Sequence, residues 1–223
     1  MHIPPSYTHI VNPKLKYTYL LLDEEGELIV KSPKLSQKEI ETLLLKKAVW
    51  IRKAKENFLR KKGKPICFHT EPSLYFLGTL YPIVLEKQHL KKTSFLLTPH
   101  QATLLYHNYN EKLFLKHIDA FYKEETSHLV SKLIEKWGSI IGVQATQVSF
   151  RKTKRQWGSC SYKNHLSFNT MLTKLPLHLI EYVVVHELIH IIHKHHQKAF
   201  WAAVSHYLPN YQELIVELKT YTP

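Results

Sequence analysis

Apolar residues come in short runs through the first half of the chain and at a helical period through most of the second. Residues 17–22 and 27–30 are apolar runs flanking Asp23-Glu24-Glu25-Gly26, which is a hairpin pattern closed by Ser32-Pro33. Ser36 and Glu39 have the S-x-x-E spacing of a capping box. Behind it Ile40, Leu43, Leu44, Ala48, Ile51, Ala54 and Phe58 share one face of a single predicted helix, with Lys46, Arg52, Lys53 and Arg60 opposite. Gly63-Lys64-Pro65 stops that helix. Strand-like runs follow at 66–69, 74–77, 81–85, 94–97 and 103–107, then a turn at 108–110 and a last strand at 113–115.

From residue 117 the period turns helical, with Ile118, Phe121, Tyr122, Leu129, Leu133, Ile134 and Trp137 on one face, ended by Gly138 and Gly142. Residues 146–151 and 165–171 read as strands around Trp157-Gly158-Ser159-Cys160. Pro176 opens the most apolar helix, 177–193, and 199–208 reads as a closing helix before Pro209. The fold class expected is α+β: a β-rich module with one long basic amphipathic helix over residues 1–116, and a second domain over 117–223.

Composition narrows this picture. The 223 residues are 44% hydrophobic and 22% charged, the makeup of a globular protein with room for one large or two small cores. The two cysteines, Cys67 and Cys160, form no C-x-x-C pair. That argues against a disulfide framework or a cysteine-based zinc module, and for a reducing, cytoplasmic setting. Residues 1–16 lack the apolar stretch of a signal peptide. The apolar segment 175–193 carries Glu181, Glu187 and several histidines, so it reads as a buried helix and no membrane partner is expected. Lys and Arg outnumber Asp and Glu by 31 to 18, which favours anionic partners.

His186-Glu187-Leu188-Ile189-His190 carries the strongest chemical signal. Residues four apart on a helix differ by about 40° in direction, so His186 and His190 point the same way and can grip one metal ion. Imidazole nitrogen suits Zn²⁺, and Glu187, one residue on, can reach a metal-bound water without ligating the ion. The simplest alternative is a pair of surface histidines in a chain that has 16. The apolar frame of Val183, Val184, Val185, Leu188, Ile189, Ile191 and Ile192 opposes it, because a charge buried there needs a partner. A catalytic zinc site usually has three protein ligands and an open position. His193, His195, His196 and Glu213 are the candidates for the third. The spacing H-E-x-x-H-x5-H favours His196, at the offset found in metzincins, although the glycine that turns the chain in those proteins is here His193. Glu213 would be a carboxylate ligand from a later helix.

With these pieces in place, the sequence resembles the YgjP-like metallopeptidase-domain family nearly end to end. The resemblance is carried by the hairpin and Ser32-Pro33, Trp50-Ile51, Leu77-Gly78-Thr79-Leu80-Tyr81, Arg151, Trp157-Gly158-Ser159-Cys160-Ser161, Leu166-Ser167-Phe168-Asn169, the stretch from Tyr182 to His190, and His196-Gln197-Lys198-Ala199-Phe200-Trp201. It implies a zincin-like second domain whose active-site helix carries HExxH, with one Zn²⁺ per chain held by His186, His190 and His196 and with Glu187 as general base. Related catalytic domains occur in SprT/Spartan and WLM proteases. The sequence departs from the family at Gln156, where arginine is usual; Lys154 and Arg155 stand nearby.

The expected activity is hydrolysis of a protein or peptide substrate. Arg151, Lys154, Trp157, Ser159 and Asn169 are candidate substrate contacts, and the strand around 166–169 is a candidate edge for an extended peptide. Trp157-Gly158-Ser159-Cys160 could equally be a packed turn, and Cys160 a semi-buried thiol. Two other functions share the same residues: nucleotide pyrophosphate hydrolysis, which the resemblance also brings in, and nucleic-acid binding around a structural zinc. The basic stretches Lys46 to Lys64 and Arg151 to Arg155 could contact nucleic acid, although a solvated helix face is the default for the first.

Overall fold

The computed structural model describes residues 5–23 and 26–223, and the chain divides into two compact units, residues 1–65 and 66–223. It is α+β, as expected. No described helix is long and apolar enough to cross a membrane.

In the first unit β1 (Thr8–Val11), β2 (Tyr19–Leu22) and β3 (Leu28–Ser32) form a sheet of order β1-β3-β2. The predicted hairpin is β2–β3, antiparallel with Leu22 opposite Leu28. Asp23 closes it: its carboxylate accepts the Glu27 N–H at 2.7 Å, while Glu24 and Glu25 of the predicted turn lie outside the described residues. The capping box is present, with the Ser36 side chain accepting from Glu39 N–H and the Glu39 carboxylate accepting from Ser36 N–H at 2.8 Å. The expected single helix is two, α1 (Gln37–Lys46) and α2 (Ala48–Arg60), because Lys47 leaves the helical region at φ −100°, ψ 9°. Leu28, Val30, Ile40, Leu44 and Ile51 make this unit's core.

The second unit holds two sheets and four helices. β4 (Ser73–Phe76), β5 (Thr79–Lys87), β6 (Ser94–Leu97) and β7 (Ala102–Tyr106) pair in the order β4-β5-β7-β6. Helix α3 (Glu111–Ile141) follows, capped by the Asn110 side chain, which accepts from Leu113 N–H at 3.1 Å. The predicted strand at 113–115 is therefore the first turn of this helix, and the predicted strand at 66–69 is irregular. The domain boundary expected near 116 falls inside α3. The chain divides at Pro65 instead, since Leu74, Ile83, Ala102 and Leu104 of the first sheet share one core with α3 and the elements after it.

β8 (Gln147–Arg151), β9 (Gly158–Cys160) and β10 (His165–Asn169) form the second sheet. Its order is β8-β10-β9, with β10 parallel to β8 and antiparallel to β9. This corrects the expectation that residues 166–169 offer a free edge: β10 is central and bonded on both sides. A short 3-10 turn, Leu172–Lys174, leads to α4 (Leu177–Ile192), then α5 (Lys198–Tyr207) and α6 (Tyr211–Leu218), the last not anticipated.

Two devices seat the segment ahead of α4. On α3, Thr126 Oγ1 donates to Thr170 O at 2.8 Å and accepts from Thr173 N–H at 3.3 Å. The two-residue turn Leu77-Gly78 between β4 and β5 has φ of 49° and 83°, a left-handed pair that suits hairpin twist. It donates Leu77 N–H to Thr173 O at 2.7 Å and Gly78 N–H to Lys174 O at 3.2 Å. A Cβ on Gly78 would sit 2.8 Å from Pro176 Cβ.

Gly78→Ala is therefore expected to cost about 2–3 kcal/mol, from left-handed strain plus the clash. Leu77→Gly should instead stabilise by about 1 kcal/mol. Urea unfolding midpoints measure both, and equal midpoints for the two variants would contradict this account of the turn.

Burial pushes the Lys174 ammonium down to about 8, with Lys152 adding to the effect and Asp119 opposing it. An unfolded lysine titrates near ~10.4. Between those values the unfolded chain holds the proton and the folded one does not, so this group makes stability rise with pH across that window. Lys174→Met should remove that component, so the stability difference between variant and parent shrinks as pH rises from 8 towards 10.

Candidate metal centre

Helix α4 is buried along most of its length, and His186 and His190 leave it on one side, one turn apart. The chain must then fold back to bring a third group to the pair. It does so at His193, which ends α4 in extended backbone (φ −117°, ψ 98°). No left-handed residue is needed there, which explains why histidine can stand where a turning glycine was anticipated. The His193 carbonyl accepts the Nδ1–H of His190 at 2.9 Å. That bond fixes the His190 tautomer and leaves its Nε2 as a bare lone pair. Tyr182, one turn before His186 on the same face, places its hydroxyl 3.4 Å from His186 Nδ1.

His196 stands just before α5. Its Nε2 lies 3.0 Å from Nε2 of His186 and 3.1 Å from Nε2 of His190. Three imidazole nitrogens thus converge on one point, and each of the three residues can offer a ligand atom to a single ion. Nitrogens bound tetrahedrally at 2.0–2.1 Å from one zinc would be about 3.3 Å apart, close to the spacing seen. The other sequence candidates are not in this cluster. His193 uses its carbonyl to orient His190, His195 is exposed, and Glu213 is exposed on α6.

The rings are held by aromatic packing that sequence reasoning did not assign. Phe200, fully buried, has its ring centroid 4.9, 4.5 and 4.7 Å from those of His186, His190 and His196. Trp201 stacks on His196 at 5.5 Å, and Tyr211 stacks on Trp201 at 5.3 Å. The signal available in sequence was the Phe200-Trp201 pair one turn after His196. Burial keeps His186 and His190 neutral. Burial, with His190 and His196 adding to it, pushes His186 down to about 3, and burial also lowers His190. Neutral imidazole is the form that binds a metal.

Glu187 is 6% exposed, and burial pushes its carboxyl up to about 8. Its Oε2 is buried with no hydrogen-bond partner among the described residues. A buried unsatisfied carboxylate oxygen is costly, so its presence calls for a cation or a polar ligand beside it. Together with three converging lone pairs, it shows that this donor set fits a divalent metal and a water. A cavity of about 140 Å³ is lined by Glu187, His186, Trp157, Gly158, Tyr182, Val183 and Leu218. Gly158 allows this closeness: a Cβ there would come within 2.7 Å of Glu187 Cγ.

The candidate substrate contacts separate. Trp157 lines the cavity and Ser159 lies on β9, the strand beside it. Arg151 and Lys154 are exposed. Asn169 is 1% exposed and spends its side chain on the protein itself. Its Nδ2 donates to the carbonyls of Thr153 and Gln156 at 2.7 and 3.1 Å, and its Oδ1 accepts from Met171 N–H. It braces the loop over residues 153–156, so the structure gives no support to Asn169 as a substrate contact. Gln156, the departure from the family pattern, is exposed and takes part in this bracing through its carbonyl. Cys160 is a free thiol raised by burial, 3.9 Å from Lys194 Nζ.

The family model described as "YgjP-like, metallopeptidase domain" matches residues 16–221. No curated protein matches the chain. Among solved structures, the chain is similar to the metallopeptidase zymogen abylysin of Pyrococcus abyssi, with 25% identity and a TM-score of 0.38 over 41% of this chain and 92% of that one. It is also similar to the metallopeptidase zymogen jannalysin of Methanocaldococcus jannaschii, with 19% identity and a TM-score of 0.37 over 40% and 92%.

Removing the ring that stacks on His196 should loosen the metal without emptying the fold. Trp201→Ala is expected to weaken metal binding about 10- to 100-fold, as loss of an orienting neighbour does, and Trp201→Phe to restore most of it. Competition with a chelator of known affinity measures the change.

Proposed function

Because the chain belongs to the YgjP-like metallopeptidase-domain family, we propose that it is a zinc-dependent peptidase that binds one Zn²⁺ through His186, His190 and His196 and uses Glu187 as general base. The observation that carries this reading is the convergence of three imidazole nitrogens beside a buried carboxylate oxygen that has no partner among the described residues. Three nitrogens leave the open coordination position that catalytic zinc sites keep. When bound, the ion supplies Lewis acidity towards a water and a carbonyl oxygen.

Glu187 accepts a proton from the attacking water and returns it to the leaving amine. Burial raises the Glu187 carboxyl, which favours return of the proton to the leaving amine, and the charge of a bound ion would oppose that rise and favour the base form for the first step. Trp157, Val183 and Leu218 give the cavity an apolar lining beside Glu187.

The substrate would enter as a strand on β9. Trp157 O accepts from Asn169 N–H and Ser161 N–H donates to His165 O, so the alternation of an antiparallel ladder turns the N–H and C=O groups of Gly158 and Cys160 away from β10. β9 is an outer strand of its sheet, and those groups are a template for an extended peptide. This replaces the edge expected at 166–169. Nucleotide pyrophosphate hydrolysis would ordinarily enlist Mg²⁺ or a second metal held by carboxylates. Among the described residues, the histidine triad is the one metal-ligating cluster, and peptide hydrolysis is the better match.

Elemental analysis of the purified protein should give close to one zinc per chain, falling sharply in His196→Ala. Glu187→Gln should keep its zinc and lose about 10²- to 10⁴-fold in cleavage of an unfolded protein substrate. Zinc retained without His196, or cleavage retained without the Glu187 carboxylate, would overturn the assignment.

A further inference from the structure

Helix α2 presents cations and an aromatic ring to solvent that the fold of its own unit does not use. Between residues 46 and 64 there are nine Lys or Arg and one acid, Glu56. Some of these cations are engaged: Lys55 pairs with Glu27 at 3.4 Å, and Lys64 donates to Leu59 O and lies over the Phe58 ring. Lys46, Lys47, Arg52 and Lys53 are exposed, with no ion pair or hydrogen bond from their side chains among the described residues. Trp50 is 48% exposed although Ile51 beside it is buried, so α2 seats itself through Ile51 and leaves the indole out.

The arrangement around the helix selects the partner. At about 100° per residue, Val49, Trp50, Lys53 and Asn57 share one stripe, with Arg52 and Leu59 on the adjoining one. The exposed apolar residues Leu59, Val49 and Trp50 are separated from one another by Arg52 and Lys53. A helix that lies in a lipid surface needs exposed apolar residues gathered on a single face, whereas the apolar face of α2 is seated on its own unit through Ile51 and the residues left exposed are scattered. Cations interleaved with an exposed aromatic ring and an amide are what a single-stranded nucleic acid needs: charge along its phosphates, a plane for an unpaired base and a donor for a base edge.

We propose that α2, with the end of α1 and the Lys47 junction that lead into it, is a binding surface for single-stranded nucleic acid, in which Lys46, Lys47, Arg52 and Lys53 contact phosphates and Trp50 stacks on a base. The surface is independent of the metal centre and does not require the peptidase assignment to hold.

The test uses the full chain and a fluorescein-labelled oligo(dT), followed by anisotropy across a salt series. The parent should bind, with log K falling against log salt at a slope of about −3 if these four cations release counterions. Exchanging all four for Gln should flatten the slope by about that amount. Trp50→Ala should weaken binding about 5- to 100-fold and leave the slope unchanged, a split that general charge attraction would not give. Circular dichroism and unfolding midpoints matching the parent show that the variants fold, and the single exchange Lys53→Gln, with a slope change of about 0.7, serves if the quadruple variant does not. No binding at low salt, an unchanged slope in the Gln variants, or full affinity in Trp50→Ala overturns the proposal. So does stronger binding to phosphatidylserine-containing vesicles than to the oligonucleotide.

Discussion

The constraint on which the second unit depends is the cost of placing ionisable groups inside an apolar helix. Val183, Val184, Val185, Leu188 and Ile189 commit α4 to the core, and Glu187 and His190 are carried in with them. A charge or an unpaired polar atom in such a place is costly unless something meets it. His186 and His190 respond by staying neutral, and they turn their Nε2 atoms to a point that His196 shares. The carboxylate is left with one oxygen that nothing in the described protein satisfies. Site and core are therefore one problem, and a divalent ion with its water answers it from both sides.

The rest of the second unit can be understood as support for that answer. Phe200 and Trp201 form a ring platform under the three imidazoles, and Tyr211 extends it to α6. Gly158 brings β9 against Glu187 without a side chain between them, so the strand proposed to hold substrate lies next to that carboxyl group. Asn169 fixes the loop leading into β9 by bonding its carbonyls. None of these residues contributes chemistry of its own, yet each sets where a chemical group points.

Much of this was legible in the sequence wherever the signal was local. The hairpin, the capping box, the two strands that flank the Trp157 segment and the helix of His186 and His190 all lie where periodicity and cap residues put them, while β9 between those strands was not anticipated. What failed was non-local. Residues 113–115 have a strand's composition, but the Asn110 cap recruits them into α3. The rank of β10 within its sheet depends on which strands flank it, and no pattern within 165–169 encodes that. Asn169 lies in a motif and looked like a contact, but its bonding shows it as a brace. The domain boundary was misplaced for a related reason: the sheet β4–β7 belongs to the core of the helices that follow it, and core membership is a property of packing. The third histidine was visible as a spacing, while the rings that aim it could be recognised only after the chain had folded back.

The Leu77-Gly78 turn, bonded to residues 173 and 174, has a consequence for how the molecule forms. Its partners are far along the chain, so closing that contact costs loop entropy before any stabilisation returns, and such contacts slow folding. During synthesis the β4–β5 hairpin emerges long before α4, and His196 with its ring platform comes after His190. The hairpin must therefore wait, with its docking surface open, until nearly the whole chain has been made. The hydrolytic centre is assembled last, which delays the appearance of activity until the scaffold that confines it is complete.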